Sequence, residues 1–459
     1  MDLLQHLWTG FLRVGHDVLD VLESGSGYLE LEEKLHQAFN ELACNILKSV
    51  LEAADAKLRE KAAERPGWVV QRRNESKAVG TPFGLLAFER TYFKHKETKE
   101  YAYLVDRMAG LEPHCRLDTA AKAQLVEAAA EQSYRKSGAK LEVSGQAVLG
   151  AVREFCGEDF GGRRTVAKQP KRHCRFLYVE ADEDHVASQQ GRTMEIPLVY
   201  VHEGATGSAR RRLKRARYFA GPYASTEDLW LDVWEYIDTC YDVDEIELIF
   251  VAGDGAGWVR AGARIIPKSV FVLDRFHLRK SVTGAVGANV DWQKRIREAL
   301  RHCDRKAVNA VLNEALADAE TPARRKAILD CQKYIRNNWD GIEAYKKYAG
   351  KVLGCSAEGH VSHVLSARLS SRPSGWSKLG AGQMAQLRAM QANGEKIRGV
   401  YLTNKRAHSV GLLTVCRKAI AEQRKKLQLP WPQQLGNLPA LSGPTTPLTR
   451  VLRAVAFSA

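Results

Sequence analysis

Apolar positions in the first 65 residues recur with helical spacing. Leu29, Leu31, Leu35, Phe39, Leu42, Ile46 and Leu47 can line one stripe, and Ser24-Gly25-Ser26-Gly27 interrupts the run. The stripe reads as a core or dimer-forming helix. From Gly80 to Val105 the pattern shortens and alternates, which predicts a β-hairpin turning near Lys96–Lys99. Residues 117–156 return to helical spacing: an Ala-rich helix from about Asp118 to Arg135, the turn Ser137-Gly138, and a second helix from about Ser144 to Phe155. Two helices across a Gly-containing turn suit a DNA-binding helix-turn-helix, and equally an ordinary helical pair.

Residues 157–175 are Gly-rich and then basic, as a linker would be. Beyond them the pattern changes. FLYVEAD (176–182), IPLVYVHEG (196–204) and LKRARYFAG (213–221) are short strand-like runs joined by polar turns. A helix follows from Ser225, where Ser225 and Asp228 can form a capping box. IELIFVAGD (246–254) and SVFVLD (269–274) are apolar enough for strands buried on both faces, with a short helix around Trp258–Ala263 between them. The order β-β-β-α-β-α-β is that of a ribonuclease H-like domain, an α/β fold with a mixed sheet and helices on its faces. Residues 281–350 are charged and helical, and read as an insertion before the helix-prone CSAEGHVSHVLSARL. The expected organisation is a helical region 1–79 and a DNA-binding region 80–156, together mainly helical α+β. The linker 157–175 follows, then a catalytic domain from 176–280 and 351–405, interrupted by the insertion 281–350. A basic C-terminal helix and tail occupy 406–459.

Charge narrows the partner. Of 459 residues, 69 are basic and 54 acidic, a net +15 that favours a polyanion over a neutral partner. Nine scattered cysteines with no CxxC argue against a zinc ribbon or a disulfide framework, and fit a reduced cytoplasmic protein. No apolar run reaches the roughly 18 residues of a spanning helix, and the start, with Asp2 and no early basic cluster, does not read as a signal peptide.

Polynucleotide cleavage needs negative charge neutralised at the entering and leaving oxygens of a phosphate. Two hard cations about 4 Å apart, held by a few carboxylates, do this. Asp182 ends the first strand, Asp254 ends the buried strand IELIFVAG, and Glu358 opens the helix after the insertion. Each acid alone reads equally as a turn or cap residue; their joint placement carries the argument. Glu180, Asp182 and Asp184 share one face of an extended strand, and Asp182 is preferred because it sits at the strand's edge. Glycines flank Asp254 and let backbone or metal approach; the spacing is neither GxGxxG nor GK[ST]. His277, just past the second buried strand, suits phosphate binding, proton transfer or a structural cap. His360 and His363 have no cysteine or third histidine to make a zinc site, and packing or DNA contact is their default. The cluster Arg210, Arg211, Arg212, Lys214, Arg215 and Arg217 reads as DNA-binding, with Arg368 and Arg372 as further contacts. Trp376 either packs or stacks on a flipped base.

Taken together, YAYLVDRMAG, YVEADEDHV, YVHEG, VAGDGAGWVR, VLDRFHLRK and SAEGHVSHVLSARLSSRPSGWS resemble the ISLre-type insertion-sequence transposases of bacteria over roughly residues 80–405. The chain is more loosely similar to Mutator-like transposases. The resemblance implies a DDE transposase whose acids are Asp182, Asp254 and Glu358. It would use Mg²⁺ or Mn²⁺, two ions, and act as a homodimer or higher oligomer on double-stranded DNA at the element's terminal inverted repeats. Two rivals remain open: a glycosidase with two working carboxylates, disfavoured by the basic excess, and a domesticated, non-catalytic DNA-binding protein of the same fold.

Overall fold

The computed structural model describes residues 3–406 except 26, 158–169, 208–211 and 373. Most of the expected linker, almost all of the C-terminal segment 406–459, and Arg210 and Arg211 therefore lie outside the described residues. The chain divides into two compact units, residues 1–124 with 401–459 and residues 125–400.

In the first unit, α1 (Leu3–Glu23) and α2 (Tyr28–Glu60) form a helical hairpin across the expected Ser-Gly break. A three-stranded antiparallel sheet follows: β1 (Trp68–Thr81), β2 (Gly84–His95) and β3 (Tyr101–Tyr103). The hairpin between β2 and β3 turns at 96–100, where the alternation placed it. The longer partner, β1, was not expected: its register slips twice between Val70 and Glu75, and its first half is largely exposed, so it has no period-two signature. The sheet packs on α2 and on α3 (Leu104–Ala109) through Leu51, Ala54, Val79, Leu86, Phe88 and Val105. Beside that core a buried ion cluster joins Asp106 to Lys77 (3.0 Å) and to Arg90. The joins between the units run through α4 (Thr119–Glu131) and, near the end, α17 (Ile397–Arg406).

In the second unit, α5 (Tyr134–Ala139) and α6 (Gly145–Cys156) are each capped by a serine, Ser133 and Ser144. The single helix expected to reach Arg135 thus ends at Glu131, and a short extra helix fills the expected turn. The main sheet contains β4 (Phe176–Ala187), β5 (Thr193–His202), β8 (Arg217–Phe219), β9 (Leu248–Gly253) and β10 (Ser269–Leu273), in the order β10-β9-β4-β5-β8. A two-stranded ribbon, β6 (Ala205–Thr206) with β7 (Arg212–Leu213), lies between β5 and β8 in the chain. Strands β4, β5 and β8 pair antiparallel, whereas β4, β9 and β10 pair parallel. This is a mixed α/β sheet with β4 at its centre. Helix α7 (Thr226–Cys240) starts with the capping box expected at Ser225 and Asp228; α8 (Gly257–Ile265) links β9 to β10.

Helices α9 (Arg275–Val286), α10 (Val290–His302), α11 (Arg305–Ala317), α12 (Pro322–Asn337) and α13 (Trp339–Lys347) fill the expected insertion and contain no strand. They are part of the sheet's own packing: Ile296, Val308, Leu312, Ile328 and Ile335 share one buried cluster with Val179 and Val251 of the strands. The chain ends this unit with α14 (Ala357–Val361), a π turn over Ser362–Ser366, α15 (Ala367–Leu369) and α16 (Lys378–Ala392). Among the described residues no helix is long and apolar enough to cross a membrane.

Close approach of α8 to α7 depends on Gly262. A Cβ there would stand 2.5 Å from the ring of Trp230, which is wholly buried. Gly262→Ala should therefore destabilise by about 1–3 kcal/mol. Gly284→Ala, facing open space in α9, should stabilise by about 0.5–1 kcal/mol. Thermal unfolding of the two variants checks both; a neutral Gly262→Ala would mean the helix contact is looser than described.

Candidate active site

The alternation of β4 divides its side chains cleanly. Leu177, Val179 and Ala181 enter the hydrophobic core. Glu180, Asp182 and Asp184 all point to the other face, and all three are buried. Register then places the second acid. Glu180 pairs with Ala252 in the parallel ladder, so two residues further on Asp182 and Asp254 stand at adjacent strand positions. Gly253 is required for this approach, because a Cβ there would lie 2.6 Å from the Ala181 carbonyl oxygen. Gly255 follows with φ +91°, and a Cβ would meet the Asn338 amide at 2.4 Å.

The third and fourth groups come from helices. Asp274 caps α9, its Oδ1 accepting the Phe276 N–H at 2.9 Å. Its Oδ2 lies 2.8 Å from Nδ1 of His277. The shared proton is best assigned to Nδ1, which turns Nε2 towards Glu358, 3.9 Å from Oε2. Asp182, His277 and Glu358 thereby bring one ligand atom each within 4.8 Å of one another. Glu358 is exposed on α14, so the cluster opens to solvent.

Asp254 stands outside that tight trio. Its Oδ1 accepts the Ala256 N–H at 2.8 Å, closing a turn, and its carbonyl oxygen accepts the Tyr334 hydroxyl at 2.5 Å. Its charge nevertheless reaches Asp182, Glu183 and His277. The tightest grouping is thus two of the expected acids plus His277, with the remaining acid at the neighbouring strand end.

Electrostatics follow from burial first and from charge crowding second. Burial pushes the Asp182 carboxyl up to about 6; the Glu183 N–H and His277 oppose the shift, while Glu358 and Asp254 add to it. His277 moves up, chiefly through its bond to Asp274, with burial opposing and Asp182 assisting. Glu183 also moves up through burial, although its side chain accepts the Trp258 indole N–H at 2.8 Å. The site thus concentrates carboxylates with one imidazole as local counter-charge. A divalent cation would relieve that repulsion, and oxygen donors with an open side are what Mg²⁺ or Mn²⁺ requires.

Other residues singled out by sequence fall elsewhere. His360 lies beside Tyr200, its Nδ1 2.9 Å from the Tyr218 hydroxyl, and burial favours its neutral form. Trp376 is buried, its indole N–H donating to the Leu369 carbonyl at 3.0 Å, so the stacking reading is corrected to packing. Arg368, half-buried, stacks on Trp376 and Tyr134 and donates to the Ala129 carbonyl at 2.9 Å, so part of its guanidinium is engaged within the fold. Arg217 pairs with Glu395 at 2.8 Å and Arg215 with Glu203 at 3.3 Å, whereas Arg212, Lys214 and Arg372 are exposed. Sequence reasoning missed Tyr334 and Asn338, which hold the Asp254 loop from 80 residues away, as at the Tyr334–Asp254 bond. No local signal could have found them. A second group, His173, Asp242 and Glu245, also brings ligand atoms within 4.8 Å of one another, on a more exposed surface.

A family described as an uncharacterised protein family, UPF0236, matches residues 22–406. A UPF0236 protein of Caldanaerobacter subterraneus subsp. tengcongensis, whose name joins four locus designations, is 38% identical over 446 residues, covering 96% of this chain and 94% of its own. Another from that organism, whose name joins eleven designations, is 36% identical over 446 residues with the same coverage. A UPF0236 protein of Streptococcus gallolyticus, named for the vanSb 3′ region, is 25% identical over 389 residues, covering 82% of this chain and 85% of its own.

Because the Asp182 carboxyl sits near 6 rather than at its ordinary 3.8, the folded chain binds more protons than the unfolded one between those pH values. Its contribution to stability therefore falls as pH rises from about 4 to about 6, and the full penalty persists above. Asp182→Asn should raise the melting temperature of metal-free protein at pH 7.5 by about 2 °C or more, and hardly at all at pH 4. Mn²⁺ affinity of the unsubstituted chain should fall about tenfold per pH unit below 6. A lower melting temperature for the variant at pH 7.5 would contradict the crowded-carboxylate account.

Proposed function

We propose that this chain, which belongs to the uncharacterised family UPF0236, is a DDE-type DNA transposase with a ribonuclease H-like catalytic domain. The single observation that carries the reading is the convergence of Asp182, Glu358 and His277, with Asp254 at the adjoining strand end. Sheet order supports it: three antiparallel strands followed by two parallel ones, with β4 central, is the arrangement expected of that fold. The excess of 69 basic over 54 acidic residues supports a polyanionic substrate. The relatives' names add a further support: eleven locus designations of one organism under one protein name are what a self-mobilising element leaves in a genome.

On this reading the carboxylates of Asp182, Asp254 and Glu358 hold Mg²⁺ or Mn²⁺. Bound there, such ions supply charge neutralisation at the phosphate and a more acidic attacking water or 3′-hydroxyl. The remaining work falls to the protein. Asp182, most buried of the three, anchors the pocket from the rigid centre of the sheet. Asp254 brings a second carboxylate on a loop whose backbone Tyr334 fixes. Glu358 closes the open side from α14. His277, oriented by Asp274, offers Nε2 to the same pocket, where it holds a proton for a phosphate oxygen or for the departing 3′-oxygen. Arg212, Lys214 and Arg372 remain exposed for backbone contact. Oligomeric assembly on paired element ends belongs to the same proposal.

The test uses purified full chain and a plasmid carrying the gene with its native flanking DNA. Mg²⁺- or Mn²⁺-dependent nicking at the element borders is expected. Asp182→Asn, Asp254→Asn and Glu358→Gln should each lower it at least about 100-fold, beyond the 10–100-fold typical of outer partners, while salt-sensitive DNA retention persists. Retention without metal-dependent products in the unsubstituted protein would replace this reading with a non-catalytic DNA binder.

A further inference from the structure

We propose that Glu180 and Asp184 are positioning residues which clamp, at its two ends, the helical segment that carries Glu358. The inference rests on reading Glu358 as part of the metal-binding site.

Glu358 needs such help. Among the described residues its carboxylate makes no hydrogen bond, and its ion-pair partner is His277 at 3.9 Å, with the like-charged Asp182 also close by. Its position is therefore set by the backbone of the segment from Ser356 to Ser370. That backbone is tied to β4 at both ends, by the acids on either side of Asp182. At the near end, Oε2 of Glu180 accepts the Ser356 N–H at 2.5 Å and the Ser356 hydroxyl at 3.1 Å. Ser356 is the residue before α14, two positions from Glu358. Glu180 is itself fixed by the Tyr200 hydroxyl at 2.5 Å and by Nε2 of His202 at 3.0 Å. At the far end, Oδ1 of Asp184 accepts the hydroxyls of Ser366 at 2.9 Å and Ser370 at 2.7 Å.

The π turn over Ser362–Ser366 belongs to this device. Eight residues of unbroken α-helix would leave Ser366 roughly 80° around the axis from Glu358 at 3.6 residues per turn. A wider turn takes up much of that lag, so both residues can face β4. π turns of this kind recur at functional sites. Asp184 also bears a cost that packing alone does not require. Its Oδ2 is buried with no hydrogen-bond partner among the described residues. An apolar side chain in its place would avoid that cost but could not accept from two serines. The strand's three alternating acids thus divide their work, the middle one facing the metal site and the outer two registering the opposing helix against it.

The experiment measures the Mn²⁺ concentration at the midpoint, read both by isothermal titration of the DNA-free chain and by nicking of the plasmid described above, for full-length Asp184→Ala, Asp184→Asn and Ser366→Ala/Ser370→Ala, with Asp182→Asn as reference. Asp184→Ala and the double serine variant should raise that concentration tenfold or more, within the range known for outer-sphere partners. Saturating Mn²⁺ should restore most activity, and DNA retention should stay within twofold. Asp184→Asn keeps an acceptor oxygen and should stay within about threefold of the unsubstituted chain. Asp182→Asn should not be rescued at any Mn²⁺ concentration. A merely structural role would reduce the yield of active protein without moving the metal midpoint. Should Asp184→Ala fail to fold, the serine pair alone decides. An unchanged midpoint with an inactive Asp182→Asn overturns the clamp, whereas an active Asp182→Asn overturns the reading of the site beneath it.

Discussion

Like charges resist being gathered where water is scarce, and this constraint governs the second unit of the molecule. Burial, with smaller additions from Glu358 and Asp254, lifts the Asp182 carboxyl to about 6 from 3.8, which at 1.36 kcal/mol per pH unit corresponds to about 3 kcal/mol against the ionised form. A surface ion pair, typically 0–1 kcal/mol, could not offset that. The offset must come from the large apolar core on the other face of β4, where Leu177, Val179 and Ala181 join Val251, Leu273 and Trp230. One strand therefore supports the fold with its odd-numbered residues and spends that support with its even-numbered ones.

The same constraint explains the helical insertion. Its helices share the sheet's hydrophobic cluster, and the end of α12 reaches back to the Asp254 loop through Tyr334 and Asn338. Arg260 joins the arrangement by donating to Asn338 at 3.2 Å and pairing with Asp340 at 2.7 Å. A Gly-flanked loop would be too pliable to present a carboxylate in fixed register. Anchoring it from a distant helix removes that freedom without a side chain on either glycine. The helices after β10 are thus part of how the site is held, and the first of them, α9, supplies His277 to the trio of ligand atoms.

Much of this was legible in the chain itself, for physical reasons. Strands β9 and β10 are apolar runs ended by Asp254 and Asp274, because parallel strands buried on both faces hold polar residues at their tips. Strand β4 departs from the expectation, since it pairs on to Ala187 and Asp182 lies inside the strand rather than at its end. Their order, and the helix opening near Glu358, follow from such patterns. Strand β1 was not legible, since its exposed, bulged first half leaves no alternation. Tertiary choices were hidden as well. The packing of Trp376 and Arg368 against Tyr134 joins residues more than 200 positions apart, and local composition could not choose between packing and base stacking for Trp376. The Asp274–His277 pair could be seen as a motif, yet its place beside Glu358 required the folded helix α9.

The most direct measurement is anomalous diffraction at the manganese edge from crystals of the full chain grown with Mn²⁺. The account predicts manganese about 2.1 Å from a carboxylate oxygen of Asp182, with Glu358 or Asp254 completing the protein ligands, as hard-cation coordination requires. Manganese absent from that pocket at saturating concentration, or found solely at His173, Asp242 and Glu245, would contradict it.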